Sequence, residues 1–155
     1  MERIPITREG YDSLKSELER LKSVERPKNI RAIEEARGHG DLSENAEFEA
    51  AKERQGFIEG RVSELEYKLA NADIIDPGAL PKDRAVFGSR VVVENTETGE
   101  SLEYLLVGPE ESDIGRGRIS VASPLGKSLI GRRTGDEITV QVPGGKRSYE
   151  LVEIR

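Results

Sequence analysis

The sequence has no cysteine and no tryptophan in 155 residues. Without thiols there is no disulfide framework and no thiolate metal site, so a metal here must be held by oxygen or by the single histidine. That absence fits a reducing compartment, and a cytoplasmic location is expected. Aromatics are scarce as well, with three Phe and four Tyr. Cores must be mainly aliphatic, and a stacking platform for bases or sugars is hard to assemble. No stretch approaches a membrane span, and Met1-Glu2-Arg3-Ile4-Pro5 lacks an apolar leader core, so no membrane partner is expected. An excess of positive charge is also missing: 24 Lys and Arg stand against 30 Asp and Glu, a net of -6. Free-standing nucleic-acid binders usually carry a basic face, so this chain is expected to reach nucleic acid through a protein partner. No Ser-His-Asp set, P-loop or dinucleotide fingerprint occurs.

What is present falls into two halves. After Thr7, a candidate N-cap, Tyr11, Leu14, Leu18 and Leu21 recur in steps of three and four, a coiled-coil seam. Val24, Ile30 and Ile33 extend the apolar character, and Pro27 predicts a kink or break within it. Gly38-His39-Gly40 is the strong breaker. Beyond it Ala51, Ile58, Val62, Leu65, Leu69 and Ala72 form a second seam, with Phe48 and Phe57 expected between the arms. Two such helices predict an antiparallel hairpin with arms of roughly 45 Å at 1.5 Å per residue. Asp76-Pro77-Gly78 and Pro81 mark a linker. Short β-type runs follow at 89–94, 102–107, 118–121, 137–142 and 148–154, with a short helix around Ser128-Leu129-Ile130. The expected class is α+β. Residues 1–75 form an antiparallel coiled-coil hairpin, 76–84 a linker, and 85–155 a small antiparallel sheet with one short helix.

Asp41 and Glu44, three residues apart after the glycine turn, are the candidate chemical residues. One reading is a capping box, with Asp41 at N-cap and Glu44 at N3. The other follows from place. Asp41, Glu44, Glu47 and Glu49 crowd one end of a projecting hairpin, and such charge calls for a cationic partner. Mg²⁺ takes one or two protein carboxylates and completes its shell with water and phosphate oxygens. Two carboxylates are too few for a stable site alone, but they suffice to complete one half-built by another protein and a nucleic acid. Arg37, Lys52 and Arg54, with Arg26, Lys28 and Arg31, either line a flank facing a nucleic-acid backbone or form a solvated face paired to Glu. Leu42 either staples the turn or inserts into a partner. His39 reads as a turn residue, because no second His or Cys can join it.

The run from Glu34 to Phe48, EEARGHGDLSENAEF, resembles the tip signature of the bacterial GreA-type transcript cleavage factors. Ala50-Ala51-Lys52-Glu53, Gln55-Gly56-Phe57 and Glu59-Gly60-Arg61 follow in family order. So do Phe87-Gly88, Ile119-Ser120-Val121, Ser123-Pro124, Leu129-Ile130-Gly131 and Pro143-Gly144-Gly145, so the resemblance spans the chain. It implies an FKBP-like fold for the C-terminal half and binding at the secondary channel of bacterial RNA polymerase. It further implies that Asp41 and Glu44 help hold a Mg²⁺ shared with the polymerase for cleavage of backtracked RNA. By the same resemblance Arg37 and Lys52 face the nascent RNA 3′ segment, and Ser120, Ser123 and Pro124 dock on the polymerase. The factor is expected to act as a monomer and not to be an enzyme itself. A channel-plugging inhibitor and an FKBP-like prolyl isomerase are the alternatives. Gly38 departs from the family's common Glu and Phe48 from its common Tyr, neither touching the carboxylate pair.

Overall fold

The computed structural model describes residues 3–38, 40 and 45–155. It divides into two compact units, Met1–Ile4 with Tyr11–Ala72 and Pro5–Gly10 with Asp73–Arg155.

The first unit is the expected hairpin, with one change of phase. Helix α1 (Arg8–Arg20) starts at Thr7, whose hydroxyl accepts the Gly10 N–H at 3.0 Å. Leu14 and Leu21 are buried on its seam. Pro27 does not break the run. A π turn, Leu21–Glu25, lies directly before helix α2 (Arg26–Arg37), and the Arg26 N–H reaches back to the Leu21 carbonyl. A proline offers no N–H and its ring presses on the carbonyl four residues earlier; a wider turn absorbs both defects. The extra residue in that turn rotates the helix beyond it. Val24 and Ile30, expected to extend the seam, are 51% and 45% exposed, while Asn29 is buried before Ile33 and Ala36 resume the pattern.

Helix α3 (Ala46–Ala70) returns with Ala51, Ile58, Val62 and Leu65 buried, as its spacing predicts. Its 25 residues make it roughly 37 Å long, shorter than the expected arm. Phe57 was expected between the arms and is instead 64% exposed. It stands one residue before Ile58, about 100° around the helix from the seam, while Phe48 is half-buried. Two three-residue strands, β1 (Ile4–Ile6) and β2 (Ala72–Ile74), form a small ribbon. Strands this short carry too little alternation to be read from sequence.

In the second unit five strands pair in the order β5-β4-β3-β7-β6. They are β3 (Arg90–Asn95), β4 (Ser101–Val107), β5 (Arg118–Ser120), β6 (Glu137–Val142) and β7 (Gly145–Ile154). Each expected run is present, and β7 begins three residues earlier than predicted. Alternation decides the faces: Val91 and Val93 of β3 and Ile138 and Val140 of β6 point into the core with Leu106, Leu129 and Leu151. The β3·β7 register shifts between Val92 and Val93, which face Glu153 and Leu151 and leave Val152 of β7 over. The expectation of a purely antiparallel sheet needs correction, because β4 and β5 run parallel, Leu105 opposite Arg118. The intervening segment carries two 3₁₀ turns, Pro109–Glu111 and Ile114–Arg116, so the chain crosses back instead of closing a hairpin. Gly117, at φ 74°, makes the last reversal, and a side chain there would meet the Glu103 carbonyl.

Helix α4 (Pro124–Leu129) covers the end of β5. It lies so close that a Cβ on Gly126 would sit 1.9 Å from the Ser120 carbonyl oxygen. Leu129 is fully buried beneath it.

Candidate functional site

The hairpin end is built by residues flanking the acidic run. Asp41 and Glu44, with His39 and Leu42, lie outside the described residues. Asn45 is the N-cap of α3: its Oδ1 accepts the Phe48 N–H at 3.1 Å. Its Nδ2 donates to the Ala36 carbonyl at 2.8 Å. One side chain thus starts the second arm and fastens it to the end of the first. The capping reading gave this helix start to Asp41; the helix begins at Ala46, and Asn45 performs the cap. Asparagine is among the best N-caps, so Ser43-Glu44-Asn45-Ala46 held the signal, obscured by the acid pair upstream. Of the two glycines in the breaker, Gly40 takes the left-handed backbone at φ 97°, whereas Gly38 stays helical at φ -69°.

Behind the turn the arms are clamped by charge. Arg26 forks onto Glu59 at 2.8 and 2.7 Å, and Arg61 onto Glu17 at 2.7 and 2.9 Å. Arg54 reaches Glu25 at 3.0 Å and Lys22 reaches Glu66 at 3.3 Å. Together they tie residues 17–26 of the first arm to residues 54–66 of the second. The guanidinium of Arg61 holds Glu17 below the ordinary glutamate range, and Arg26 does the same for Glu59. Lys68, then Arg61, lowers Glu64.

This ladder sorts the basic flank. Arg26 and Arg54, grouped with the flank by sequence, are taken up between the arms. Arg37, Lys28 and Arg31 are exposed and make no ion pair with another described residue. Lys52 is exposed and, among the described residues, donates to the neutral Gln55 at 2.9 Å. The reading that pairs these bases to Glu therefore holds for Arg26 and Arg54. Arg37 and Lys52, from the last turn of α2 and the second turn of α3, remain as cations near the hairpin end.

The C-terminal candidates occupy the turn from β5 into α4. Ser120 is 8% exposed, and its hydroxyl accepts the Ala122 N–H at 3.0 Å. Ser123 caps α4, accepting from Gly126 N–H at 3.1 Å and donating to the Ser120 carbonyl at 2.7 Å. Pro124 opens the helix at its first turn and is exposed. The two serines shape this turn with their hydroxyls turned inward, and Pro124 is the member that meets solvent.

Among the described residues no group of three or more His, Cys, Asp or Glu side chains could hold a metal ion. None of their helices is long and apolar enough to cross a membrane.

Comparison with known proteins places this arrangement. Residues 4–74 match the family described as transcription elongation factor, N-terminal, and residues 80–155 match transcription elongation factor, GreA/GreB, C-term. The transcription elongation factor GreA of Syntrophobacter fumaroxidans is 59% identical over 155 residues, covering 100% of this chain and 99% of that one. That of Neisseria meningitidis serogroup A is 55% identical over 156 residues, with coverage of 100% and 99%. Among solved structures, GreA factor homolog 1 of Thermus thermophilus is 33% identical, with 99% of each chain covered and a TM-score of 0.45.

Proposed function

We infer the function from one premise: the chain belongs to the GreA/GreB family of transcription elongation factors, and it is itself a transcription elongation factor. Its action is to bind RNA polymerase, enter the secondary channel with the hairpin turn leading, and stimulate cleavage of backtracked nascent RNA. The polymerase remains the enzyme and this chain its cofactor. The observation that carries this reading is the mounting of the acidic run. Asp41 and Glu44 fall in sequence between two helices that Asn45 fastens at one end and a ladder of cross-arm ion pairs clamps behind it. Arms so restrained reach over a distance without the entropy loss of ordering the helices on arrival.

The donor set fits Mg²⁺ only as a shared ion. Carboxylate oxygens are the hard ligands it prefers, but two fall short of its six positions, and no third donor cluster stands among the described residues. Asp41 and Glu44 would hold the ion from one side while polymerase and RNA oxygens complete its shell. When bound, Mg²⁺ lowers the pKa of water and neutralises charge at the phosphate. The same carboxylates accept hydrogen bonds from a water and so orient it. Arg37 and Lys52 approach the phosphates of the extruded RNA 3′ segment and keep it in place. Pro124, on the turn that Ser120 and Ser123 shape, docks on the polymerase.

The isomerase alternative loses ground on geometry. Tyr104 and Tyr149 are partly buried against the core of the second unit, which leaves few aromatics for a proline pocket.

The test is RNA cleavage in stalled elongation complexes. Asp41→Asn and Glu44→Gln are each expected to abolish stimulated cleavage and leave polymerase binding within about twofold of wild type. Full cleavage by both variants would remove the carboxylates from the mechanism. Complexes that stay arrested with the wild-type protein would make it a channel inhibitor.

A further inference from the structure

The second unit holds a cleft of about 540 Å³ that the proposed function does not use. Six cations line it, Arg8, Lys82, Arg90, Arg116, Arg118 and Arg155, against one acid, Glu9. In a chain of net charge -6 this concentration opposes the overall composition. Folding gathers it from positions spread between the first helix and the last residue.

Part of this charge is answered locally. Arg118 pairs with Glu9, Arg155 with Glu103 and Glu153, Arg90 with Glu103 at 3.9 Å, and Arg116 with Asp113 at 3.7 Å. Arg8 and Lys82 make no ion pair with a described residue. The start of α1 is not the attraction, because the Thr7 N–H and hydroxyl already bond to the Glu111 carboxylate. The unanswered charge sits on the side chains.

Beneath them lie aliphatic groups, Ile75, Pro77, Leu80 and Leu105. Gly88 lets this surface close. It adopts φ 87°, and a Cβ there would stand 3.0 Å from Ile75 and 3.1 Å from Leu80. Cations beside an aliphatic surface suit a ligand with clustered negative charge and a flat apolar part. The volume is that of a small-molecule site. No aromatic side chain lines the cleft, whereas single-stranded nucleic acid is usually held by stacking successive bases.

We propose that this cleft binds a nucleoside triphosphate, its phosphates held by the lining cations and its base laid on the aliphatic surface. This inference is independent of the tip chemistry, and its test needs no polymerase.

Calorimetric titration of the full chain with ATP is expected to show saturable binding with one site per chain. Exchanging Lys82 and Arg116 together for Ala should weaken it about tenfold or more, since each charge-assisted contact to phosphate is a strong one. Arg147→Ala, an exposed cation outside the cleft, should leave it within about twofold. Thermal melts of both variants confirm that each is folded. Inorganic tripolyphosphate should bind several-fold more weakly than ATP, because it cannot use the aliphatic surface. Four results would each overturn the proposal: no saturable binding at millimolar ATP, equal losses in the cleft and Arg147 variants, tripolyphosphate binding as tightly as ATP, or a short RNA without a terminal triphosphate binding the cleft more tightly than ATP.

Discussion

Gly126→Ala adds one methyl group where the backbone of β5 meets α4. The new Cβ would stand 1.9 Å from the Ser120 carbonyl oxygen, 2.8 Å from its carbon and 3.0 Å from the Val121 Cα. All three neighbours are backbone, so no rotamer change relieves the clash, and α4 must move off the strand by more than an ångström. That motion loosens Leu129, which is fully buried. Overpacking of this kind costs about 3 kcal/mol at the upper end of its range. Replacing glycine within a helix returns about 1 kcal/mol. The net loss is about 2 kcal/mol, a fall in Tm of about 8–16 °C for an unfolding unit of that size. Gly60→Ala is the matched control. It is also a helical glycine, but nothing lies within 4 Å of the point its Cβ would occupy, so the helix gain stands alone at about 0.5–1 kcal/mol. Differential scanning calorimetry and urea melts of the two variants should therefore move in opposite directions. Polymerase affinity should fall with Gly126→Ala, which displaces the Ser123-Pro124 turn, and hold with Gly60→Ala. If Gly126→Ala melts at or above the wild-type temperature, the close packing of α4 on β5 is refuted.

Three further perturbations address the hairpin. Asn45→Ala removes the cap of α3 and its bond to the Ala36 carbonyl, and should cost about 1–2 kcal/mol in urea denaturation; Asn45→Asp, which keeps the acceptor and loses the donor, should fall between. A wild-type midpoint for Asn45→Ala would show that the cap contributes nothing. Acid should weaken the arms. Glu17, Glu59 and Glu64 are held below the ordinary glutamate value by Arg61, Arg26 and Lys68 respectively. The folded state therefore binds these protons less readily than the unfolded one. Their stabilisation is present above the unfolded value of about 4.3 and is lost as pH falls through the lowered folded values. Helical circular dichroism followed in urea from pH 6 to pH 3 checks this; a midpoint independent of pH across that window would refute it. Arg61→Ala breaks the fork to Glu17, whose partly exposed partners place the loss at about 1 kcal/mol or less, shrinking in high salt. Equal destabilisation in low and high salt would mean the loss comes from packing of the arginine stem instead of charge.

The sequence by itself determined what is local and periodic. Steps of three and four made two helices, Gly38 and Gly40 marked the end of the first, and alternation in Arg90–Asn95 and Glu137–Val142 made strands with a fixed inner face. Pro143-Gly144-Gly145 made the β6–β7 hairpin, because Gly145 supplies the positive φ that the turn requires. The acidic run with Asp41 and Glu44 was also legible, since it is contiguous. Tertiary structure decided whatever depends on partners far apart in the chain. Pro27 reads locally as a kink or break, yet the helix runs on through a π turn that re-phases the seam to place Asn29 inside and Val24 outside. The parallel pairing of β4 with β5 follows from a crossover whose strands look the same in sequence whichever way they pair. That the hydroxyls of Ser120 and Ser123 bond the backbone of their own turn was also decided by packing. The cationic cleft was illegible for the simplest reason: Arg8, Lys82 and Arg155 share no window of sequence, and only the closed fold overcomes their mutual repulsion by bringing carboxylates such as Glu9 and Glu103 beside the arginines.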